Sequence, residues 1–232
     1  LGLSVVTALV WVTASDISIA LPDIGRGLGG SMDVLQWAVN GYFLAGSLII
    51  VGGRLADLFG RRLLFAIGVG LLLSGSVVAG LAGSPTTLIA GRVLEGVGAA
   101  AILPAALAIV AVEFPDDERD RAISVWIATC WGAQALGPLV GGALVEALGW
   151  TAIFWVNLPV GLGALWLTWR TTPESTSGET DRRIDVAGIV TLAGGLFLLS
   201  YALVEADEIS GGRLAALLVG AVVLLAAFLA VE

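Results

Sequence analysis

Three ionisable residues stand inside otherwise apolar stretches of the chain: Asp16, Arg92 and Glu95. An unpaired charge costs about 2.5–3.5 kcal/mol at the centre of a membrane helix, so such groups are retained where they face a cavity or one another. Desolvation and a nearby guanidinium act on a carboxylate's proton affinity in opposite directions, and their competition lets such a group bind and release protons. The spacing Arg92…Glu95 places both on one face of a helix. Proton coupling within a cavity is therefore the chemistry this trio suggests, with Asp16 as carrier. The alternative is a static Asp–Arg pair that only fixes helix packing.

Composition narrows everything else. The chain has 232 residues, 58% hydrophobic and 13% charged, with a net charge of −8 and a mean hydropathy of +0.99. A soluble domain carries roughly a quarter charged residues, so the lipid bilayer is the expected surrounding. All eleven basic residues are arginines, and histidine is absent. That excludes a P-loop lysine, a Schiff base, a Ser-His-Asp triad and His-ligated zinc, and with them most enzyme chemistry. Cys130 is the only cysteine, so neither a disulfide framework nor a cysteine metal site is available. No basic stripe exists to meet phosphates, so no nucleic-acid partner is expected. Nor is any cofactor or metal, protons serving as the coupling ion.

The elements that must position the trio are membrane helices, each needing about 20 apolar residues. Eight stretches qualify: 3–21, 37–53, 63–83, 88–112, 122–147, 152–169, 186–204 and 214–231. A polar linker over 171–183 divides six spans (residues 1–170) from two (184–232), and the acidic run Glu113–Asp120 reads as a solvated cytoplasmic turn. Arg54, Arg61, Arg62, Arg119, Arg121, Arg170, Arg182 and Arg183 fall on one side, while Arg26 and Arg213 fall on the other. The positive-inside rule then puts the N-terminus in the cytoplasm of a multi-pass protein of the cytoplasmic membrane. On that assignment Asp16 and Arg92 both lie roughly 6–8 Å below the outer boundary of the hydrocarbon core.

Shifting the chain by about 89 residues superposes VGGRLADLFGRRLLF on VGGALVEALGWTAIF. That offset spans three helices, an odd number, so the two copies sit on opposite membrane faces. Arg61 becomes Trp150 and Arg62 becomes Thr151, as inversion requires. Two inverted three-helix units form the plan of many secondary transporters.

The loop Gly53–Arg62, with Asp57, Gly60, Arg61 and Arg62 at fixed spacing, resembles the signature G-x-L-a-D-r-x-G-r-[kr] of the major facilitator superfamily; Leu58 replaces its usual basic residue. RVLEGVGAA from Arg92 is similar to the fourth-span motif R-x-x-Q-G, with Glu95 where glutamine is usual. Gly132–Gly142, containing Gly137, Pro138 and Gly141, resembles the fifth-span motif of antiporter members. SDISIALPDI, GWTAIFWVNLPVG and Arg183–Gly188 look like segments of the fourteen-span drug:proton antiporters. The resemblance implies an all-α integral membrane fold: a six-helix domain of two inverted three-helix repeats plus two further transmembrane helices, without the C-terminal half of the polypeptide. It also implies proton-coupled export of hydrophobic or cationic drugs, with Asp16 and Glu95 in the acidic cavity and the Gly53–Arg62 loop serving the conformational switch. Trp11, Asn40, Tyr42, Trp126, Trp131 and Gln134 are candidates for the substrate cavity. Uptake of a sugar or organic anion on the same fold is the alternative, and alternating access requires the second half in either case.

Overall fold

A computed structural model describes residues 1–173, 186–206 and 209–231, and every regular element among them is a helix. In chain order these are α1 (Gly2–Leu28), α2 (Met32–Gly46), α3 (Ile49–Phe59), α4 (Arg61–Gly80), α5 (Pro85–Glu113), α6 (Asp116–Leu148), α7 (Ala152–Trp155), α8 (Asn157–Thr171), α9 (Val186–Val204) and α10 (Gly211–Val231). Seven spans are long and apolar enough to cross a membrane, α7 and α8 together forming one of them. The pair α2 and α3, bent by 43°, makes an eighth.

Several spans are longer than hydropathy alone suggests. The first runs on through Pro22 to Leu28, because proline only removes one bond, to the Ser18 carbonyl, and helical packing on both sides holds the backbone. The expected second span, 37–53, is two helices meeting at Ser47–Leu48. The acidic run is not a turn throughout. Asp116, Asp117 and Glu118 form the first turn of α6, where carboxylates complement the helix dipole. Asp116 there pairs with Arg119 at 2.7 Å.

In lipid, helices gain little from burying apolar side chains against one another, so close packing depends on small residues. Helix α5 uses them on two sides. A Cβ on Gly91 would meet the amide of Ala79 at 2.7 Å, and one on Gly98 the Gly68 carbonyl at 2.6 Å, both on α4. On its other side Gly96 abuts the Tyr42 carbonyl of α2, and Gly52 of α3 abuts the Ala100 carbonyl. Reciprocally, a Cβ on Gly141 of α6 would meet that of Asp16 on α1 at 2.6 Å. Gly52 and Gly141 are the matching glycines of the sequence repeat. Each lets the second span of one three-helix unit press against the first span of the other, as an inverted pair should.

The hairpin α9–α10 closes on itself through Gly195, which fits against Leu225. It leans on the bent span at two places. Trp37 of α2 and Tyr201 of α9 meet with ring centroids 5.9 Å apart and planes tilted by 35°, and Ile50 and Val51 of α3 share a groove with Ile189 and Leu192. Residues 174–185, which hold most of the expected linker together with Arg182 and Arg183, lie outside the described residues.

Gly52→Leu should therefore prevent α3 from reaching α5, at a cost of about 1–3 kcal/mol or more. Gly163→Leu, where a Cβ meets nothing within 4 Å, is the control. In the purified polypeptide, thermal unfolding followed by tryptophan fluorescence should fall for the first and hold for the second.

Candidate functional site

Arg92 and Glu95 stand three residues apart on α5, and both are completely buried. Arg92 Nη1 donates to Glu95 Oε2 at 2.5 Å. Its Nε donates to the Ala38 carbonyl of α2 at 2.9 Å, and the guanidinium carbon lies 4.4 Å from the centroid of the Tyr42 ring. Tyr42 in turn donates its hydroxyl to the Val10 carbonyl of α1 at 2.8 Å. The other carboxylate oxygen, Oε1, accepts from Ser76 of α4 at 2.6 Å. Ser76 Oγ accepts from Asn157 Nδ2 of α8 at 3.0 Å, and Asn157 Oδ1 accepts from Thr13 Oγ1 of α1 at 3.3 Å. A single buried chain of polar contacts thus ties α1, α2, α4, α5 and α8. Such a pair survives desolvation only when hydrogen bonds satisfy its remaining atoms. Both oxygens of Glu95 meet a donor, whereas Arg92 Nη2 has no partner.

Asp16 is buried on α1, within electrostatic reach of Arg92 and Glu95. Among the described residues no side-chain hydrogen bond or ion pair reaches it. The structure thus brings the three expected residues into one region but gives Arg92 to Glu95. At 1.5 Å per residue, Asp16 lies about 18 Å from the Leu28 end of α1 and Arg92 about 10 Å from the Pro85 end of α5.

Ser76, Thr13 and Asn157 were not among the sequence candidates. Asn157 lies within the GWTAIFWVNLPVG stretch, and an amide in an apolar span was the available signal. A lone serine or threonine carries none, because either can satisfy itself on its own helix.

The α3–α4 loop forms as its spacing suggests. Gly60 has φ = 111°, a left-handed conformation that suits glycine alone, and it joins the end of α3 to the start of α4. Asp57 pairs with Arg61 at 3.2 Å. Arg62 donates to the Thr172 carbonyl at 3.0 Å and covers the Trp169 ring at 4.4 Å, so the loop grips the end of α8. Gly53 faces Pro104 at ordinary contact distance. In the α6 motif, Gly137 and Gly141 make the close approaches, to Ser15 and Asp16, and Ser15 Oγ donates to the Gln134 carbonyl at 3.1 Å. Gly132 faces open space and Gly142 lies in ordinary contact with Ile19. Helix α6 continues unbroken through Pro138.

The cavity candidates divide. Trp11, Trp126 and Trp131 line one wholly apolar recess of about 250 Å³ with Cys130, Leu103 and Pro104. Trp11 and Trp131 stack there with centroids 5.8 Å apart. Tyr42 belongs instead to the charge network. Asn40 is half-buried on α2, and neither it nor Gln134 lines the recess.

An all-helical membrane bundle built from inverted units around a buried charge network is the architecture of a secondary transporter. The chain belongs to the Major Facilitator Superfamily, whose profile it matches over residues 3–231. It is 41% identical over its whole length to the puromycin resistance protein of Streptomyces alboniger, covering 47% of that protein. To the tetracenomycin C resistance and export protein of Streptomyces glaucescens it is 36% identical, over 92% of this chain and 40% of the relative. The multidrug resistance protein Stp of Mycobacterium tuberculosis is 39% identical over 87% of this chain and 38% of the relative. The chain spans less than half the length of each. Among solved structures, it is similar in fold to a bacterial homologue of the human lysosomal transporter Spinster in an inward-facing conformation, with a TM-score of 0.65 at 20% identity, covering 96% of this chain and 57% of that one. A peptide transporter crystallised with sulfate gives 0.66 at 20% identity, over 89% of this chain and 46% of that one. The family is one of transporters, and no enzyme chemistry is implied.

Arg92→Leu leaves Glu95 buried without its counter-ion and should cost about 3–5 kcal/mol. The double substitution Arg92→Leu/Glu95→Leu should recover most of that loss. Detergent-driven unfolding of the purified polypeptide in mixed micelles compares the two.

Proposed function

We propose that this chain forms the N-terminal half and the two additional helices of a fourteen-span, proton-coupled exporter of hydrophobic or cationic compounds, lodged in the cytoplasmic membrane with its N-terminus inside. The observation that carries this reading is that relatives 36–41% identical over most of the chain are resistance and export proteins. The antiporter-type packing of α6 on α1 supports export over uptake of a sugar or organic anion.

In this mechanism Asp16 takes a proton when the cavity faces outward and gives it up when the cavity faces inward. Its burial beside Arg92 and Glu95 makes its charge sensitive to whether a cationic compound or a proton is present. Each charge moved down a membrane potential contributes about 2.3 kcal/mol per 100 mV. The apolar recess of Trp11, Trp126 and Trp131 suits a planar compound, since indole faces attract both apolar and cationic groups. A C-terminal half of the same polypeptide supplies the opposite wall, and the Gly53–Arg62 loop, anchored on α8 by Arg62, holds one face closed until the halves rock. The segment divides into 1–170, the six-span unit, a linker over 171–183, and two helices over 184–232.

The test is Asp16→Asn in the intact polypeptide, reconstituted in proteoliposomes with ethidium as a hydrophobic cationic probe. Ethidium movement driven by an imposed pH gradient should fall to the passive rate. Unchanged movement in the variant removes Asp16 from the coupling step.

A further inference from the structure

The buried region holds two acidic groups and one cation, and its polar contacts serve the acids unequally. Glu95 receives Arg92 Nη1 on one oxygen and the Ser76 hydroxyl on the other. The Ser76 proton is committed in that direction, because Asn157 Nδ2 already donates to Ser76 Oγ. Thr13 in turn donates to Asn157 Oδ1, which leaves the amide nitrogen pointing at Ser76. The whole relay presents donors to Glu95 and never an acceptor. Arg92 is held from three sides: Glu95, the Ala38 carbonyl and the Tyr42 ring. Its Nη2, the one nitrogen left over, has no partner.

The groups facing Asp16 from its neighbours are few. From α5 come Arg92 and Glu95, and from α2 the Tyr42 hydroxyl, which is bonded to Val10. Helix α6 presents the bare backbone of Gly141, with Glu146 further along the same helix. Asn157 of α8 bonds Thr13, one turn before Asp16 on α1. Among the described residues Arg92 is thus the one cation that reaches Asp16, and it is bonded to Glu95 rather than to Asp16.

We propose that Glu95, fixed by Ser76 and Asn157, is the resident counter-ion of Arg92 and keeps the guanidinium off Asp16, so that Glu95 is a positioning residue and Asp16 alone exchanges protons. This rests on the reading of Asp16 as the coupling carboxylate, and it assigns Glu95 a part in the coupling that is distinct from proton carriage. With Glu95 neutral, Arg92 turns to Asp16 as its only remaining acid, and Asp16 becomes a locked ion pair.

A double-mutant cycle on the purified intact polypeptide tests this without any transported compound. Asp16→Asn should change the apparent Tm by less than about 1 °C in the native background, where Asp16 holds no side-chain partner. In the Glu95→Gln background the same substitution should lower it by about 3 °C or more, because it then removes the counter-ion Arg92 has adopted. Adding Arg92→Met to Glu95→Gln should abolish that sensitivity, and Glu95→Asp should behave as the native chain. Equal effects of Asp16→Asn in the native and Glu95→Gln backgrounds overturn the proposal. So does a Glu95→Gln chain that fails to fold while Glu95→Asp folds, since Asp16 would then be unable to take over the guanidinium. In proteoliposomes, Glu95→Gln should displace the pH profile of ethidium movement toward acid, whereas Asp16→Asn flattens it. The cycle reports on the pairing even if Asp16→Asn leaves transport intact, so failure of the coupling assignment and failure of the positioning role are read separately.

Discussion

Backbone-to-backbone contact at glycine is the constraint on which the rest of this molecule depends. In a bilayer, a leucine gains little by leaving lipid for another helix, so cohesion has to come from close van der Waals approach and from polar contacts made where lipid is excluded. Gly91 and Gly98 bring α5 onto α4, and Gly96 brings it onto α2. Only at that separation can a side chain as short as Ser76 span the gap to Glu95. Replace the glycines with larger residues and the carboxylate loses its donor and the pair its enclosure. Small residues thus create the conditions under which two opposite charges can be kept in hydrocarbon.

The same geometry gives the inverted repeat a physical meaning. Gly52 and Gly141 are equivalent in the sequence and do equivalent work, each admitting the second span of one unit to the first span of the other. One of these contacts falls on Ala100, an apolar position, and the other on Asp16. The two halves of a symmetric plan have therefore been put to different uses. A similar asymmetry marks the repeated turn, where Arg61 and Arg62 are engaged with Asp57 and α8 while their counterparts Trp150 and Thr151 carry no charge.

Much of this was legible in the amino-acid sequence, for reasons that can be stated. Span number and order follow from runs of apolar residues, and the loop around Asp57 follows from a spacing too specific to be a generic turn. Gly60 was identifiable because its backbone conformation tolerates no other residue well. The pairing of Arg92 was less legible. Equal depth suggested Asp16 as its partner, yet Glu95 lies one helical turn away on the same face, and a local pair needs no tertiary alignment. Ser76 and Thr13 were invisible because hydroxyls are common in membrane helices and their partners lie on other helices. The bend at Ser47–Leu48 also escaped, since no proline marks it.

Helix α6 is attached to its neighbours along one narrow stripe, with Cys130, Ala133, Gly137 and Gly141 buried and large apolar residues such as Trp131, Leu136 and Leu139 turned outward. Substitutions on its outer faces leave that stripe intact, so they carry little folding cost. The wall that holds Trp131 is therefore free to drift in sequence while the bundle stays fixed. Rewriting that one helix on its outward sides changes the lining of the tryptophan recess and leaves the buried charges undisturbed.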